Sequence, residues 1–338
     1  MTICFFGNYI PDYPRIVVLK KGFAANGVKV LECHTRKTGV AKYIDLWQQH
    51  RKFKNDYDVL LVTMGAYTLV PFARRLTKKK LIFDAFVSLQ ITADDRGKGR
   101  FMADFWDAYA CRIADQVLLD TNAQIEYFVA RYNLPRVKFT RVPASADPDI
   151  FFPTSYQLPP TRSFVVHWHG HIVPFHGLEA VIEAANKLKD HKDIEFRITT
   201  RFNSKYQAIK KRIQELKLEN VNFFPETSYA GLAKAINESD VVLGVFGTKK
   251  KAEVVIPNKI YEAVACKKPV ITRDSKAVRE VFDENSMKLI RPNNPDELAT
   301  AILELKQNEA KRNSLAENAN EIYTANLLPG AITKPLLE

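Results

Sequence analysis

Short runs of apolar residues recur along the whole chain and are separated by longer amphipathic or polar segments. The runs are continuous rather than alternating, which is typical of strands in a parallel sheet whose two faces are both covered. Intervening segments such as Arg15–Ala25 and Asn122–Arg131 are long enough for crossover helices. The pattern predicts two sets of strands: Thr2–Phe6, Val28–Cys33, Val59–Val62, Leu81–Phe83, Gln116–Leu119 and Lys138–Val142, then Phe164–Trp168, Ile194–Ile198, Val221–Phe224, Val241–Val245, Pro269–Thr272 and Lys288–Ile290.

Prolines are dense between the two sets of strands, and proline stops helices and central strands. We therefore expect a domain at 1–145, a linker at 146–163 and a second domain at 164–315. Residues 316–338 are expected to form a helical segment that returns to the N-terminal domain. Two doubly wound α/β domains in series place ligand sites at the carboxyl ends of their strands, facing a cleft. Neither half has a G-x-G-x-x-G run, so a dinucleotide dehydrogenase fits poorly.

The chain is basic, with a net charge of +12 over 338 residues, and this favours an anionic partner. Nucleotide phosphates, an acidic acceptor and a membrane face all fit, whereas the sequence has no recognisable nucleic-acid-binding motif. The longest apolar stretch, 59–73, is too short to span a membrane. The start lacks the features of a signal peptide and the four cysteines are widely spaced, so we expect a cytoplasmic protein with reduced core cysteines.

The segment 255–272, VIPNKIYEAVACKKPVIT, predicts a helix that starts at Pro257 and Asn258. Lys259 and Glu262 are three positions apart and share one helix face. A helix N-terminus with a lysine binds anions, and a carboxylate one turn later can accept hydrogen bonds from two vicinal hydroxyls. This arrangement fits the phosphate and ribose of a nucleotide. An ordinary surface salt bridge fits the spacing equally well.

The segment 167–177, HWHGHIVPFHG, follows a predicted strand and opens the predicted helix Leu178–Leu188. Gly170 allows a tight turn close to a ligand, and His171 and His176 could donate hydrogen bonds to phosphate oxygens. His167 fits a core histidine, and His176 could instead be a helix cap. A zinc site is disfavoured, because no cysteine or carboxylate nearby completes a ligand set.

These two segments, together with GNYIPDYPRIVVLKKGFAANGVKV near the start, resemble glycosyltransferase family 4 over nearly the whole chain. The resemblance implies a GT-B fold, with two Rossmann-like domains facing a cleft, and sugar transfer with retained configuration. It implies no metal or other cofactor and a nucleotide-diphosphate sugar as co-substrate. A glycan or lipid-linked molecule would be the acceptor, with possible docking on an anionic membrane face.

The resemblance also assigns donor-binding roles to individual residues. Glu262 matches the family's ribose-binding glutamate, and Asn258 and Lys259 lie in the segment that meets the diphosphate and sugar. The remaining donor candidates occupy the loops that surround the donor in the family: Gly7, Gly170, His171, His176, Arg201, Thr227 with Ser228, Gly247 and Thr248.

The chain departs from the family pattern at several of these positions. The family's first glutamate would stand at Val254, and Glu253 is one residue away. His171 and His176 occupy the positions where many members have an arginine and a lysine. The loop containing Arg201 lacks the usual glycines, so the donor is left open.

Acceptor-side and catalytic candidates complete the prediction. Asp84 ends a predicted strand, Ser88 and Asp94 follow in a polar loop, and Arg15 begins a helix. These residues could recognise or activate an acceptor hydroxyl, or simply cap and solvate loops. The catalytic candidates are Asp84, Glu253 and His176. Two alternatives stay open on the same fold: a non-hydrolysing sugar-nucleotide epimerase and a catalytically silent binding subunit.

Overall fold

A computed structural model describes residues 1–97, 99–155 and 162–337. The chain divides into an N-terminal unit of 1–145 with 327–338, and a C-terminal unit of 146–326. The expected linker, 146–163, thus begins the second unit, and its residues 156–161 lie outside the described residues. Only part of the expected returning segment joins the first unit. Residues 316–326 belong to the second, because one helix runs unbroken from Glu309 to Asn326 and buries Leu315 and Tyr323.

The N-terminal unit contains a parallel sheet of six strands in the order β2-β1-β3-β4-β5-β6. Its strands are β1 Thr2–Gly7, β2 Lys29–His34, β3 Val59–Val62, β4 Lys80–Phe86, β5 Gln116–Leu119 and β6 Phe139–Arg141. Its helices are α1 Pro14–Ala25, α2 Ala41–Phe53, α3 Val70–Leu76, α4 Leu89–Asp95, α5 Arg100–Ile113, α6 Asn122–Tyr132 and, near the end of the chain, α14 Pro329–Thr333.

Helices cover both faces of this sheet. Alternate strand residues such as Phe6 and Phe83 pack in one core with α2, α3, α5 and α6. The opposite face of β1 packs on α1, where Phe5 meets Phe23 edge to face with ring centroids 6.0 Å apart. Helix α14 lies against α1 at Gly22, where a Cβ would come within 2.3 Å of a backbone oxygen of α14. The C-terminal residues are therefore an integral part of the N-terminal unit.

The C-terminal unit contains a second parallel six-stranded sheet, in the order β12-β11-β10-β7-β8-β9. Its strands are β7 Phe164–His169, β8 Ile194–Thr200, β9 Val221–Pro225, β10 Val241–Leu243, β11 Val270–Arg273 and β12 Lys288–Ile290. Its helices are α7 Leu178–Lys187, α8 Ser204–Leu216, α9 Tyr229–Asn237, α10 Lys250–Val254, α11 Asn258–Ala265, α12 Pro295–Gln307 and α13 Glu309–Asn326. The strand order reverses between β7 and β10, so ligands are expected beside the carboxyl ends of these two strands.

Both sheets confirm the predicted α/β class, and the predicted strands all occur with small shifts at their ends. The largest loss at one end is in β10, which stops at Leu243 rather than Val245. Gly244 follows, and its Cα is so close to β11 that a Cβ would lie 2.4 Å from Thr272 Oγ1. Helix α11 begins at Asn258, directly after Pro257 in extended conformation, as the sequence indicates. Within the described part of the chain, no helix is both long enough and apolar enough to cross a membrane.

Candidate active site

The turn after β7 places one backbone segment at the point where the strand order reverses. Gly170 has a φ of +126°, a conformation that L side chains rarely adopt. Its N–H donates to the Thr199 carbonyl at 3.0 Å, and its own carbonyl accepts from Thr200 Oγ1 at 2.7 Å. A Cβ on Gly170 would lie 3.2 Å from His176 Cε1 and 3.5 Å from Lys259 Nζ. The bare glycine backbone thus lies directly against two of the predicted donor-binding side chains.

A pocket of about 290 Å³ opens at the carboxyl ends of β7, β8 and β9. It brings together four of the predicted donor candidates: Gly170, His171, Arg201 and Thr227. Ser228, which was paired with Thr227 in the prediction, also lines it. The other lining residues were not predicted as donor-binding candidates: His169, Thr199, Thr200, Glu226, Tyr229 and Leu232. Most of them lie at or just beyond a strand end, and that position is the signal that would have found them.

Glu226 organises one exposed side of this pocket. Its carboxylate forms an ion pair with Arg201 at 2.9 Å, and its other oxygen lies 3.6 Å from His171 Nε2. All three side chains are at least half exposed. Water therefore screens these charges, and the pairing contributes little to the free energy of unfolding. Two donor candidates, Arg201 and His171, are thereby held beside the pocket by a carboxylate that was not itself a candidate.

Glu262 lies behind the pocket wall and contacts it through His169. His169 Nε2 is 2.8 Å from Glu262 Oε2, and both side chains are buried. Burial raises the pKa of Glu262 to about 7, and the nearby Lys259 partly offsets this effect. Burial, with Lys259 nearby, holds the pKa of His169 well below its ordinary value. His169 is therefore neutral, and its Nε2 donates to Glu262 when that carboxylate is ionised.

Lys259 is buried, and among the residues that the structure describes its Nζ has no hydrogen-bond partner. Its Nζ lies 4.0 Å from the centroid of the Trp168 ring, a cation–π geometry. Burial holds the pKa of Lys259 well below its ordinary value, although the nearby Glu262 acts in the opposite direction. The alternative of a surface salt bridge between Lys259 and Glu262 is therefore wrong: both side chains are buried and Lys259 Nζ is unpartnered.

His176 differs from its predicted role. Its Nδ1 lies 2.6 Å from the His171 carbonyl, which can only accept, so Nδ1 carries the proton. Burial, together with the charge of Lys259, holds the pKa of His176 well below its ordinary value. The neutral ring then has only an acceptor left at Nε2. The neutral ring has no second proton to donate, so the expected hydrogen bond from His176 to a phosphate oxygen is corrected.

The loop after β10 is fixed by close backbone contacts. Gly247 N–H donates to the Phe175 carbonyl at 3.2 Å, and a Cβ on Gly177 would lie 2.5 Å from Gly247 N. Arg273 Nη1 donates to the Gly247 carbonyl at 2.7 Å. Thr248 follows and is exposed, while Asn258 at the start of α11 is half-buried.

Glu253 belongs to the support of this loop. Its carboxylate pairs with Arg273 and accepts from the Lys276 N–H at 3.2 Å. Val254 is buried in the core. The carboxylate of Glu253 therefore anchors the Arg273 side chain that holds the loop.

The acceptor-side candidates lie in the N-terminal unit and are largely engaged there. Arg15 binds Asp84 through two hydrogen bonds, of 2.9 and 3.1 Å, and donates to the carbonyls of Val142 and Pro143. Both members of the pair are fully buried. Ser88 caps α4 and donates to Asp107 at 2.6 Å. A structural role therefore explains the contacts of Arg15, Asp84 and Ser88.

The two remaining candidates of the N-terminal unit are Gly7 and Asp94. Gly7 is buried at the end of β1, where a Cβ would lie 2.3 Å from Thr63 Oγ1. Asp94 lies near the end of α4 and is half-buried. Over the described ranges, no group of three or more His, Cys, Asp or Glu side chains is placed to hold a metal ion.

Two parallel doubly wound sheets, with a pocket at the carboxyl ends of the second, define the class of the protein as a GT-B fold of the kind found in glycosyltransferases. Residues 156–322 match the family model described as "Glycosyl transferases group 1". The match covers the C-terminal unit almost completely and assigns the enzyme class, a glycosyltransferase, to this chain.

Solved structures of glycosyltransferases share the fold. Sucrose-phosphate synthase (tll1590) from Thermosynechococcus elongatus aligns with a TM-score of 0.81 and 14% identity, covering 99% of this chain and 97% of that one. Anabaena Alr3699/HepE in complex with UDP-glucose aligns with a TM-score of 0.75 and 14% identity, covering 100% and 98%. A mutant of S. aureus TarM in complex with fondaparinux, alpha-GlcNAc-glycerol and UDP gives 0.69 and 17%, covering 88% and 58%. No curated protein sequence matches the chain.

Proposed function

We propose that this protein is a retaining, metal-independent glycosyltransferase of family 4 that takes its sugar from a uridine-diphosphate sugar. The observation that carries the proposal is the placement of two buried groups behind one pocket. Glu262 is hydrogen-bonded to the pocket residue His169, and the unpartnered ammonium of Lys259 lies next to Gly170. A carboxylate and a cation in this arrangement fit a ribose and a diphosphate.

In the proposed complex, the pocket takes the base and the ribose. Thr227 and Ser228 contact the base, and Glu262 accepts hydrogen bonds from the ribose hydroxyls. Complexes with UDP or UDP-glucose among the structures that share the fold support uridine as the base. The donor's sugar remains open to the test below.

Lys259 and the N-terminus of α11 act on the diphosphate. As the bond from the anomeric carbon to the diphosphate oxygen breaks, negative charge develops on the leaving group. Fixed positive groups in a dry site stabilise such charge strongly. An arriving anion also raises the pKa of a buried lysine, so the bound donor favours the charged form of Lys259.

The acceptor hydroxyl attacks the same face of the sugar that the diphosphate leaves. Its oxygen forms the new bond to the anomeric carbon, and its proton passes to the departing phosphate oxygen. This route retains configuration and needs no protein base, which agrees with the occupied carboxylates of Asp84 and Glu253. We propose a glycan or lipid-linked acceptor, a cytoplasmic location and contact with an anionic membrane. The net charge of +12 supports that contact.

The proposal is tested with the full-length protein and a panel of UDP-, GDP- and dTDP-sugars. Calorimetry measures binding, and NMR identifies the products formed with and without EDTA. Slow hydrolysis of one UDP-sugar to the sugar of the same anomeric configuration, unchanged by EDTA, is the expected result. Formation of an epimer, or no binding to any donor, would overturn it in favour of an epimerase or a silent subunit.

Glu262→Gln should strongly weaken UDP binding while the fold is kept. Glu179→Gln is the matched control, because Glu179 is exposed in the first turn of α7. Equal UDP affinities of the wild type and the Glu262→Gln protein would remove the assigned role.

A further inference from the structure

One helix layer of the N-terminal unit exposes apolar side chains where a water-facing helix normally exposes polar ones. On α5, Phe101, Met102 and Phe105 are 81%, 57% and 48% exposed. They follow one stripe of the helix, and its opposite side buries Ala110 and Cys111 in the core. Phe105 also stacks on Tyr109, which is partly exposed, with ring centroids 5.4 Å apart. These residues are neighbours on one side of the helix and form an exposed apolar patch, rather than a set of scattered residues.

Helix α2 exposes a second apolar stripe. Val40, Ile44 and Trp47 are exposed at successive turns, and the guanidinium of Arg51 lies 4.7 Å from the Trp47 ring. Helices α2 and α5 pack on the same face of the sheet, and α3 contacts both of them. The two stripes therefore belong to one surface of the N-terminal unit, which we name the α2/α5 surface.

Both stripes occupy the first half of their helix. In a parallel sheet, each crossover helix starts at the carboxyl edge of the strands. The exposed apolar residues of α2 and α5 thus cluster near the carboxyl edge, where α/β domains bind ligands.

Basic residues accompany the apolar ones. Arg36, Lys42 and Arg51 lie on or beside α2, and Arg96 precedes α5; all but Lys42 are exposed. The acidic Asp45 of α2 is paired with Lys37 at 2.9 Å. Asp104 of α5 is likewise paired, with Arg131. The surface therefore combines apolar, aromatic and cationic groups, and the acidic Asp45 and Asp104 are both engaged in ion pairs.

We infer that the α2/α5 surface docks on an anionic lipid membrane. Aromatic side chains partition into the headgroup region, and neighbouring cations are attracted to anionic headgroups. A protein partner of matching apolar shape would not require the excess of basic groups around the stripes. This surface deepens the membrane contact of the proposed function, but it does not depend on the donor site. Glu262→Gln protein should bind vesicles as the wild type does.

The full-length protein is sedimented with vesicles of phosphatidylcholine alone or with phosphatidylglycerol added. Binding to the anionic vesicles only, weakened by salt, is expected. Phe101→Ser combined with Met102→Ser should reduce it by about tenfold, whereas Val137→Ser, which changes an equally exposed apolar residue, should not. Arg36→Gln should reduce binding by about fivefold, and Lys205→Gln on α8 should not.

A second measurement locates the contact. Vesicles with brominated acyl chains should quench tryptophan fluorescence, and Trp47→Phe should remove most of that quenching. Equal binding by the α5 and control variants would overturn the assignment. So would a dimer in light scattering that the Phe101→Ser, Met102→Ser protein loses while no form binds vesicles, because the stripes would then join two copies of the chain.

Discussion

His169 lies in the wall of the pocket, and its Nε2 donates a hydrogen bond of 2.8 Å to the ionised carboxylate of Glu262 behind that wall. The bond fixes one oxygen of Glu262 and leaves the other for a ligand. It also fixes the tautomer of His169, whose Nδ1 has no partner. His169 is thus a positioning residue for the proposed ribose-binding carboxylate.

Replacing His169 should therefore weaken ribose recognition without removing a direct contact. His169→Phe should lower UDP affinity by about tenfold, the cost of about one hydrogen bond to a charged group. It should also reduce the preference for UDP over 2′-deoxy-UDP. His169→Gln, which can still donate, should recover much of both. Calorimetry with the two nucleotides checks this.

A double-mutant cycle separates positioning from a general packing effect. His167→Phe serves as control, since His167 is buried and stacked on His169 but does not bond Glu262. Additive effects of His169→Phe and Glu262→Gln would mean that the histidine does not act through the carboxylate.

Glu262 should make stability depend on pH. Its pKa is raised to about 7 in the fold from an ordinary value of 4.5. A raised pKa stabilises the fold below the unfolded value, and this contribution is lost as pH rises through the folded value. Glu262→Gln should therefore be more stable than the wild type at pH 8, by up to about 3 kcal/mol, with the difference shrinking towards pH 5.

Denaturant titration at several pH values measures this difference, and UDP affinity measured in parallel should change in the other direction. In the wild type it should increase through pH 7, as the carboxylate ionises. A stability difference that is constant with pH would show that Glu262 does not titrate in this range.

Gly177 should be essential for packing the loop after β10. Its φ is +65°, and a Cβ there would lie 2.5 Å from Gly247 N. Gly27 has a similar φ of +70° but open space around it. Gly27→Ala should cost about 1 kcal/mol of stability for the backbone strain alone, whereas Gly177→Ala should cost several. Chemical denaturation of both variants compares them, and equal costs would rule out the backbone collision.

Asp84 should act as a structural partner of Arg15. Asp84→Asn leaves a fully buried guanidinium without its charged partner, which costs about 3 to 5 kcal/mol. The exposed pair Lys37–Asp45 gives the control, since Asp45→Asn should cost far less stability. UDP affinity should be unchanged in both. An Asp84→Asn protein of normal stability that binds donor but transfers no sugar would support the acceptor role instead.

The sequence predicted the helices and strands more successfully than it predicted the contacts between side chains. Continuous apolar runs set the strands, because burial in a two-sided parallel sheet requires them, and Pro257 with Asn258 set the start of α11. Side-chain partners depend on contacts between distant positions. Arg15 meets Asp84 only because α1 packs across the sheet, and Glu253 meets Arg273 only because β11 lies beside the loop.

The site shows the same division. Lys259 and Glu262 were found because their spacing is local, but their burial was not predicted. His169 was not among the candidates, since nothing near it in sequence indicates a bond to Glu262. The proton position on His176 depends on the carbonyl of His171, which only the folded turn brings close.

The packing of α14 on α1 has a consequence for how the protein is made. Gly22 lies under α14, and Asn26 Nδ2 donates to the Gly330 carbonyl at 2.8 Å and to Thr333 Oγ1 at 3.0 Å. During synthesis, the first 145 residues emerge long before the segment 327–337 that packs on α1. The N-terminal unit is therefore completed only after that segment has left the ribosome, and α1 keeps its contact surface for α14 uncovered throughout translation of the other unit.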